Sequence, residues 1–567
     1  MENMVKGVCI DYTYDGLGII KIDGEVLFCK NLIIGEEAKV RVLRKEKNVY
    51  IGEVIKIYNP SSNRVTPSCP YYEDCGGCHL LHMSYEEQLR FKEKHVQNCI
   101  NRIGGIDKEV LPIIKMDEPS KYRNKVQVSF SKDYNGNVLG GFYKEKTHQI
   151  IDNENCLLEN ETAEEIISFF KSLIKKYNIE PYDRSSNNGT IRHLLVRTGY
   201  HSKEVMVVII TKSRFIPKQN ILIQELTKKF PNIVSIIHNI NEGKTNMILG
   251  NKENCIYGKS YIEDTLCGLK FRISSKSFYQ VNPIQTEKLY ETAIKAGNLT
   301  KEDNIIDAYS GIGTIGLIAS KYCKSVVGVE IVKEAIINAY SNARLNNITN
   351  AKYYVDDASK FIINYSKENK ADVVFVDPPR SGLDKKFVDT LLLSKPSRVV
   401  YVSCDPSSLA RDLKMLKEGY EIESIQPVDM FPNTYHVETV VLLSHRKAND
   451  YVEMEINTDD FPITSAELKA TYTDIQDYVM NKYGVKITSL EVAQMKQKYG
   501  IIERDNYNKK KDNSKYLQPK CTKEKENYIL DAFRYYKMIW YKIYCIYAYY
   551  GVLYKCGKQL IPLIVFN

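Results

Sequence analysis

The sequence contains no uninterrupted apolar run of about 20 residues, which is the length that a helix needs to span a membrane. Residues 1–30 alternate charged and apolar side chains, and so lack the basic start and continuous apolar centre of a cleavable signal peptide. We therefore expect a chain that has no membrane partner and carries no export signal.

The sequence also has little excess charge, since 79 Lys and Arg residues face 70 Asp and Glu residues and leave a net charge of +9. A mildly basic chain permits a polyanionic partner without indicating one. Its 14 cysteines are scattered apart from one group, which is typical of free thiols in a reducing cytoplasm. We expect a cytoplasmic monomer, and 567 residues are too many for one core and predict three or four domains.

Residues 1–58 alternate short β-rich runs with Asp-Gly and Gly-Glu turns, which predicts a small antiparallel barrel. The stretch resembles the TRAM domain, a five-stranded relative of the OB-fold that binds RNA. Basic and acidic residues balance within it, so any affinity for RNA must come from a local patch such as Arg41–Lys47.

Three cysteines lie close together at Cys69, Cys75 and Cys78, and Cys156 follows far downstream. Thiolates spaced this closely in a cytoplasmic chain pair with one another, react or hold a metal. Two glycines before Cys78 let the backbone curl so that two sulfurs face one centre. Four thiolates satisfy either zinc or an iron–sulfur cluster, so the spacing predicts a metal site of open identity.

The pattern of residues 59–275 predicts a central α+β domain that binds RNA. Residues 84–102 form an amphipathic helical pattern, which Ser84 and Glu87 would open as a capping box. In two predicted strands, residues 121–130 and 191–197, basic side chains alternate with apolar ones. That alternation suits phosphate contacts, although a charged face toward solvent is the commoner explanation. The basic residues are Arg123, Lys125, Arg192 and Arg197.

From residue 276 the sequence repeats a strand, a loop and a helix. One strand enters the glycine-rich turn at residues 311–316, and the next strand ends in Glu330, which fits either a dinucleotide or S-adenosylmethionine. A further strand ends in Asp377-Pro378-Pro379, a motif that lies beside the transferred methyl group in many class I methyltransferases. Residues 276–446 are therefore predicted to form a class I methyltransferase domain of Rossmann-like α/β fold.

A candidate nucleophile follows the apolar run at residues 399–402. This run reads as a buried strand that delivers Cys404 to its carboxyl end, where open α/β sheets bind their ligands. The alternative is an inert buried cysteine, which is the commoner case for a free thiol.

Six short motifs occur in an order that resembles the RNA uracil-5-methyltransferase family, and the resemblance covers residues 1–446. The motifs are Phe278-Tyr279-Gln280-Val281-Asn282, Asp307-x-Tyr309-x-Gly311-x-Gly313, Val329-Glu330, Asp377-Pro378-Pro379-Arg380, Ser403-Cys404-Asp405-Pro406 and His436-Val437-Glu438. The match is closest to the 23S ribosomal RNA branch, because the transfer RNA branch lacks the TRAM-like and cysteine segments. The resemblance therefore implies ribosomal RNA as the substrate, with a transfer RNA uridine as the alternative.

The resemblance also assigns roles to individual residues. It implies that S-adenosyl-L-methionine is bound by Gln280, Tyr309, Glu330 and Asp377. It implies that the nucleophile is Cys404 and that the general base is Glu438. It further implies a [4Fe-4S] cluster on Cys69, Cys75, Cys78 and Cys156, for which four thiolates are the required ligand set.

The chemistry of this family explains why such residues are needed. Uracil C5 is a poor nucleophile, and a thiolate that adds to C6 turns the base into an enolate whose C5 can attack a methyl group. A carboxylate such as Glu438 then removes the C5 proton as general base, and the thiol leaves. Asp377 and Arg380 would read the uracil edge or stabilise the enolate oxygen. The target must be flipped out of a helix or already unpaired.

Two alternatives come from other functional classes. An amino-directed methyltransferase also uses Asp-Pro-Pro, but it usually follows the motif with an aromatic residue, where Arg380 stands here, and it needs no cysteine. A non-catalytic RNA-binding iron–sulfur protein could have kept the fold.

The resemblance does not cover residues 447–567, which we expect to form a small, mainly helical extension. Helical patterns at residues 465–483 and 489–499 suggest a helix-turn-helix. A basic loop at residues 508–511 and an aromatic-rich tail from Trp540 onward suggest no function.

Overall fold

The computed structural model describes residues 4–145, 147–244, 247–446, 470–499, 501, 521–536 and 538. The chain divides into two compact units, residues 1–446 and residues 447–567, which are described separately. Within the described residues, no helix combines the length and the apolar character that crossing a bilayer requires.

The first unit begins with a closed five-stranded barrel in the order β1-β2-β3-β5-β4. Its strands are β1 (Met4–Tyr12), β2 (Gly18–Ile22), β3 (Glu25–Cys29), β4 (Glu37–Glu46) and β5 (Val49–Ile57). The predicted barrel is confirmed, but the expectation of wholly antiparallel pairing is wrong, since β3 and β5 run parallel. Strand directions cannot alternate all the way around a closed ring of five, so at least one pair must be parallel.

A seven-stranded mixed sheet forms the centre of the unit, in the order β12-β11-β10-β9-β6-β7-β8. Its strands are β6 (Lys125–Lys132), β7 (Val138–Tyr143), β8 (Ile150–Ile151), β9 (Ile191–Thr198), β10 (Val205–Thr211), β11 (Ile233–Ile240) and β12 (Lys252–Gly258). The helices of this region are α1 (Tyr85–Arg102), α2 (Glu161–Lys176) and α3 (Gln219–Lys229), and a hairpin of β13 (Tyr261–Leu266) and β14 (Leu269–Ser274) follows.

Two of the basic residues predicted for phosphate contacts bond to main-chain atoms inside the protein. Arg197 is buried and donates to the carbonyl oxygen of Ser277 at 2.5 Å. Arg192 is also buried and donates to the carbonyl oxygens of Asn241 at 2.9 Å and Gly243 at 2.5 Å. Neither the phosphate-binding nor the solvent-facing interpretation holds for this pair, because β9 lies inside the sheet and both of its faces are covered.

Helix α1 begins where the sequence predicts, but only half of the expected capping box forms. The Ser84 side chain accepts from the main-chain N–H of Glu87 at 3.3 Å. The Glu87 carboxylate does not return the bond and instead accepts from Tyr12 of the barrel at 3.3 Å and from Asn63 at 3.2 Å. The local sequence pattern assigned the Glu87 side chain to the end of the helix, but it bonds to residues that are distant in sequence.

The remainder of the first unit is a second seven-stranded sheet in the order β17-β16-β15-β18-β19-β21-β20. Its strands are β15 (Asn304–Ala308), β16 (Ser325–Glu330), β17 (Ala351–Val355), β18 (Val373–Val376), β19 (Arg398–Ser403), β20 (Tyr420–Val428) and β21 (Glu438–His445). Helices alternate with these strands: α4 (Pro283–Gly297), α5 (Thr314–Ala319), α6 (Lys333–Leu345), α7 (Ala358–Tyr365), α8 (Lys385–Ser394) and α9 (Pro406–Leu416). The first five strands of the sheet are parallel and β21 is antiparallel to both of its neighbours, as expected for a Rossmann-like methyltransferase domain.

A buried ion pair fastens α1 to the loop that precedes β21. The Lys92 ammonium lies 2.5 Å from the Asp429 carboxylate and donates to the carbonyl oxygen of Phe431 at 3.0 Å. Both charged side chains are fully buried. The Tyr85 hydroxyl donates to the second carboxylate oxygen of Asp429 at 2.8 Å. Residues 429–436, the loop that carries the chain into Glu438, are thus held by hydrogen bonds from α1.

Replacing Lys92 with methionine should lower the free energy of unfolding by about 3–5 kcal/mol, because it leaves the Asp429 charge buried and unpaired. Denaturant unfolding followed by fluorescence measures this change. Lys94→Met on the same helix is the matched control, since its ion pair with Asp11 is exposed and pairs of that kind contribute about 0.2–1 kcal/mol. Adding Asp429→Asn to Lys92→Met should recover part of the loss. Equal effects of Lys92→Met and Lys94→Met would contradict this account.

The second unit contains three described helices, α10 (Tyr472–Tyr483), α11 (Ser489–Lys498) and α12 (Lys523–Tyr535). They share a core that includes Ile475, Val492 and Phe533. The first two lie where the sequence predicts helices, and α10 starts at its Thr471 cap. Residues 465–469 and 508–511 and the tail from Trp540 lie outside the described residues, and the helix-turn-helix stays a prediction.

Candidate active site

The candidate site lies along the edge where the five parallel strands end. Tyr309 follows β15, Glu330 ends β16, Asp377 follows β18 and Cys404 follows β19. Strand β21 runs in the opposite direction, so it begins at this same edge with Glu438. Five of the six residues predicted to bind the cofactor or catalyse the reaction are therefore brought to one edge of the sheet.

Cys404 and Glu438 are neighbours across two paired strands. The last pair in the register of β19 and β21 is Ser403 with Thr439, so the next residues along each strand are Cys404 and Glu438. Opposed residues of an antiparallel pair have Cα atoms about 4.5–5.5 Å apart. This geometry places a thiol and a carboxylate beside the same small volume.

The electrostatics of the two side chains oppose their ionisation. Burial raises the pKa of the Cys404 thiol to about 12, and the charges of Glu438 and Asp377 add to the rise, while Arg380 counteracts it. Burial raises the pKa of Glu438 to about 8, again with a contribution from Asp377 and with Arg380 acting against it. Arg380 therefore favours the anionic form of both groups.

The glycine-rich loop after β15 offers space for a ligand. The Glu330 carboxylate accepts from the main-chain N–H of Gly311 at 3.2 Å and from that of Val332 at 2.9 Å. A Cβ atom built on Gly311 would meet no atom within 4 Å, and Ser310 has a buried hydroxyl without a hydrogen-bond partner. An open loop, an acidic residue beside it and an unused hydroxyl fit a ligand with ribose-like hydroxyl groups.

Gln280, the sixth predicted residue, lies just before α4, a helix that contacts β19 and β21. It is buried, and its main-chain carbonyl oxygen accepts from the Asn124 side chain at 3.1 Å. The central domain thus holds the segment in which Gln280 lies.

Two further groups of the site were not assigned from the sequence. Tyr290 of α4 is buried, and its pKa lies well above the ordinary value because of burial and the charges of Asp377, Asp307 and Glu438. Asp307 is also buried, accepts from the main-chain N–H of Gly316 at 2.8 Å and has its pKa raised by burial to about 7. Asp307 opens the motif that contains Tyr309 and Gly311, and this position was a signal for a site residue. Tyr290 gave no such signal, because it has the spacing of an ordinary core residue.

The four cysteines of the predicted cluster are free thiols that are partly buried. Burial raises the pKa of Cys78, and the charges of Cys156, Cys75 and Cys69 raise it further, so the four sulfurs share one neighbourhood. Within the described part of the chain, however, no group of three or more His, Cys, Asp or Glu residues is arranged to hold a metal ion. The structure gathers the donors without forming the ligand geometry, and the metal site stays a prediction.

Comparisons with known proteins give relatives for most of the chain. The model of the tRNA (uracil-5-)-methyltransferase family matches residues 84–446. An uncharacterized RNA methyltransferase of Halalkalibacterium halodurans is 45% identical over 445 residues, which cover 78% of this chain and 97% of the relative. A second, from Clostridium tetani, is 44% identical over 432 residues, which cover 76% of this chain and 94% of the relative.

A solved structure is similar over the same extent. It is the Pyrococcus abyssi tRNA (uracil-54, C5)-methyltransferase in complex with S-adenosyl-L-homocysteine. It is 30% identical to this chain with a TM-score of 0.62, and the match covers 77% of this chain and all of the other.

Proposed function

The chain belongs to the tRNA (uracil-5-)-methyltransferase family, and from that premise we propose that it transfers the methyl group of S-adenosyl-L-methionine to C5 of a uridine in RNA. The observation that carries the proposal is the opposition of Cys404 and Glu438 across β19 and β21, beside Asp377. An amino-directed methyltransferase needs no thiol at this position.

The chain's own residues divide the reaction between them. The Cys404 thiolate adds to C6 of the uracil, and the electron pair of the C5–C6 double bond moves into an enolate. S-adenosyl-L-methionine, when bound, would supply the methyl group that C5 takes up and would remain as S-adenosyl-L-homocysteine. Glu438 then accepts the C5 proton, the double bond re-forms and Cys404 leaves as a thiolate. The Glu330, Tyr309, Gln280 and Asp377 side chains are proposed to hold the cofactor.

Arg380 is proposed to stabilise the anions of this sequence. A Cys404 thiol with a pKa near 12 is protonated at neutral pH, and the Arg380 guanidinium is the group that lowers that value. The same charge can face the oxygen of the enolate, where a preorganised cation stabilises developing negative charge.

Replacing Arg380 with glutamine should lower the single-turnover rate at pH 7 by about 10²–10³-fold, which is typical for loss of one group that stabilises an oxyanion. Because Glu438 must be ionised to accept the C5 proton, the rate at which the unaltered protein releases methylated RNA should rise with pH around the Glu438 pKa of about 8. Without Arg380 that rise should shift to higher pH. Methyl incorporation from labelled cofactor gives the single-turnover rate, and methylated RNA that is free of protein on a denaturing gel, measured across a pH series, gives the rate of release.

Arg380→Lys is the control for this prediction, because it keeps the positive charge and should shift the pH profile much less. A glutamine variant whose pH profile coincides with that of the unaltered protein would show that the guanidinium does not act on either ionising group.

For the RNA class we propose 23S ribosomal RNA, on the combined presence of the TRAM-like barrel and the cysteine segment. Transfer RNA is the second candidate, because the Pyrococcus abyssi structure bears a tRNA methyltransferase name.

The test is incubation with labelled cofactor and unmodified transcripts of 23S ribosomal RNA or of tRNA, followed by mass spectrometry of nuclease fragments. We expect 5-methyluridine in the 23S transcript. Methylation of tRNA alone would replace the ribosomal substrate but keep the chemistry. A methyl group on an exocyclic amine would overturn the uracil-C5 proposal.

We also propose that Cys69, Cys75, Cys78 and Cys156 hold a [4Fe-4S] cluster, which has no part in the methyl transfer derived above. Four neighbouring free thiols are the donor set that such a cluster needs, and the positive charge of Arg123 acts on Cys75 and Cys78. A cationic side chain beside a four-thiolate site is suited to its negative charge.

Protein purified without oxygen should contain about four irons per chain, as a four-thiolate cluster requires. Cys156→Ser should lose most of that iron, since three ligands leave an open coordination position. Cys255→Ser is the matched control, because Cys255 is an exposed thiol on β12, outside the four-cysteine group, and its loss should leave the iron content unchanged. Stoichiometric zinc without iron or visible absorption would refute the cluster and favour a zinc site.

A further inference from the structure

A row of aromatic rings runs from the barrel to the candidate active site. Tyr14, in the turn between β1 and β2, packs edge-to-face on Tyr435 with ring centroids 6.2 Å apart. Tyr435 lies 4.6 Å from the His79 ring and 4.2 Å from the His436 ring. These four residues, which we call the aromatic row, come from three separate segments of the chain.

The aromatic row is continuous with the proposed catalytic residues. The His436 ring lies 3.4 Å from the guanidinium of Arg380, the residue whose charge acts on Cys404 and Glu438. His436 also lies two residues before Glu438 on the same chain segment. A molecule that reaches from the site along the surface of this edge therefore meets His436 and Tyr435 first.

Each ring of the row is at least partly exposed. Tyr14 is 66% exposed, and His79, Tyr435 and His436 are half-buried. His79 has a buried ring nitrogen, Nδ1, without a hydrogen-bond partner. His436 is neutral at physiological pH, because burial lowers its pKa to about 4, so it can accept or donate without adding charge.

We propose that the aromatic row is a stacking surface for the unpaired nucleotides next to the target uridine. This inference rests on the proposed function and adds to it a requirement on the substrate. Flipping a uridine out costs unstacking energy, and aromatic side chains that stack the neighbouring bases can offset that cost whatever the identity of those bases. The substrate is thus an unpaired RNA segment that extends at least one nucleotide beyond the methylated base, toward the barrel.

The geometry favours bases over phosphates as the occupants of the row. Its rings present apolar faces and neutral imidazoles. Charges of both signs act at the His79 end, where Asp15 and Glu145 oppose Lys30 and Arg123, and Arg380 lies at the end beside Cys404. A backbone-binding surface would instead need Lys and Arg along its length. Stacking is also tolerant of sequence, so the row selects for unpaired structure and not for a base.

The inference is tested with the full-length protein and a fluorescent seven-residue oligouridylate, compared with the same probe lacking the base next to the central uridine. Anisotropy should show that Tyr435→Leu weakens binding of the intact probe by about 5- to 150-fold, the range expected for one lost stacking contact. Tyr435→Phe keeps the ring and should bind nearly as well as the unaltered protein. Tyr14→Leu should show the same direction with a smaller loss.

The probe that lacks the base separates stacking from a structural role. If the row stacks a base, Tyr435→Leu should weaken binding of this probe far less than binding of the intact one. Equal losses with both probes, or an equal loss in Tyr435→Phe, would overturn the inference. Unchanged affinity for cofactor and an unchanged unfolding midpoint in Tyr435→Leu should accompany the expected result, and their loss would count against it.

The failure of this inference differs from failure of the proposed function. Leucine variants that bind and methylate RNA as well as the unaltered protein would overturn the stacking surface while the uracil-C5 chemistry stands. A protein that binds the probe through Tyr435 but transfers no methyl group to any RNA would support the surface and overturn the proposed function.

Discussion

Replacing Cys404 with alanine should abolish methyl transfer to RNA, lowering the single-turnover rate by at least about 10⁴-fold, while cofactor and RNA binding persist. Without attack at C6, C5 of uracil keeps too little electron density to take up a methyl group, so the remaining residues have nothing to assist. Labelled methyl incorporation measures the rate, and filter binding measures retention of the RNA. No RNA should migrate with the protein on a denaturing gel.

Cys323→Ala provides the control for this loss. Cys323 is a buried free thiol of the same domain, which lies after α5 and outside the strand edge that carries Cys404. Its replacement removes the same atom and should leave transfer close to normal. A Cys404→Ala protein that methylates RNA at a near-normal rate would end the uracil-C5 proposal and restore the amino-directed alternative.

Replacing Glu438 with glutamine should produce the opposite kind of defect, a protein that attacks and methylates RNA but stays attached to it. Glutamine keeps the shape of the side chain but cannot accept the C5 proton, so the thiol cannot leave. The first step should not suffer, because the Glu438 charge raises the pKa of Cys404 and its removal makes the thiolate easier to form. The complex should appear as a slow band on a denaturing gel, and digestion with nuclease and protease should release a peptide that carries methylated uridine.

Glu423→Gln is the matched control, since Glu423 lies on the neighbouring strand β20 and its exposed carboxylate accepts from Ser444. That variant should turn over freely and form no lasting adduct. If Glu438→Gln also turns over freely, the base is another residue or a water molecule, although Cys404 could still be the nucleophile. An amino-directed enzyme would form no adduct in either variant.

The sequence is sufficient to predict the edge at which the candidate site lies. Tyr309, Glu330, Asp377 and Cys404 each follow or end a strand of a parallel sheet, and the carboxyl ends of such strands must meet along one edge. The position of Glu438 was harder to derive, because it depends on β21 reversing direction. Only the order of the motifs suggested it.

What the sequence could not supply depends on contacts between distant segments. The alternation around Arg192 and Arg197 looks like a charged face, and only the cover on both sides of β9 turns these side chains inward. Tyr290 repeats at the spacing of an ordinary core residue of α4, although burial and the charges of three carboxylates raise the pKa of its phenol. In both cases the sequence pattern is present, but contacts with distant segments determine the environment of the side chain.

The ion pair between Lys92 and Asp429 has a consequence for the order in which the protein matures. Its partners are 337 residues apart, so the loop that leads into Glu438 can be fastened only after nearly the whole first unit has been synthesised. Closing so long a loop costs conformational entropy before the contacts that stabilise it can form. We therefore expect the ion pair to form late in folding. A chain still emerging from the ribosome, with α1 folded but residues 429–436 not yet added, holds neither the proposed base nor half of the aromatic row. The growing polypeptide therefore cannot modify the RNA around it until its synthesis has passed this point.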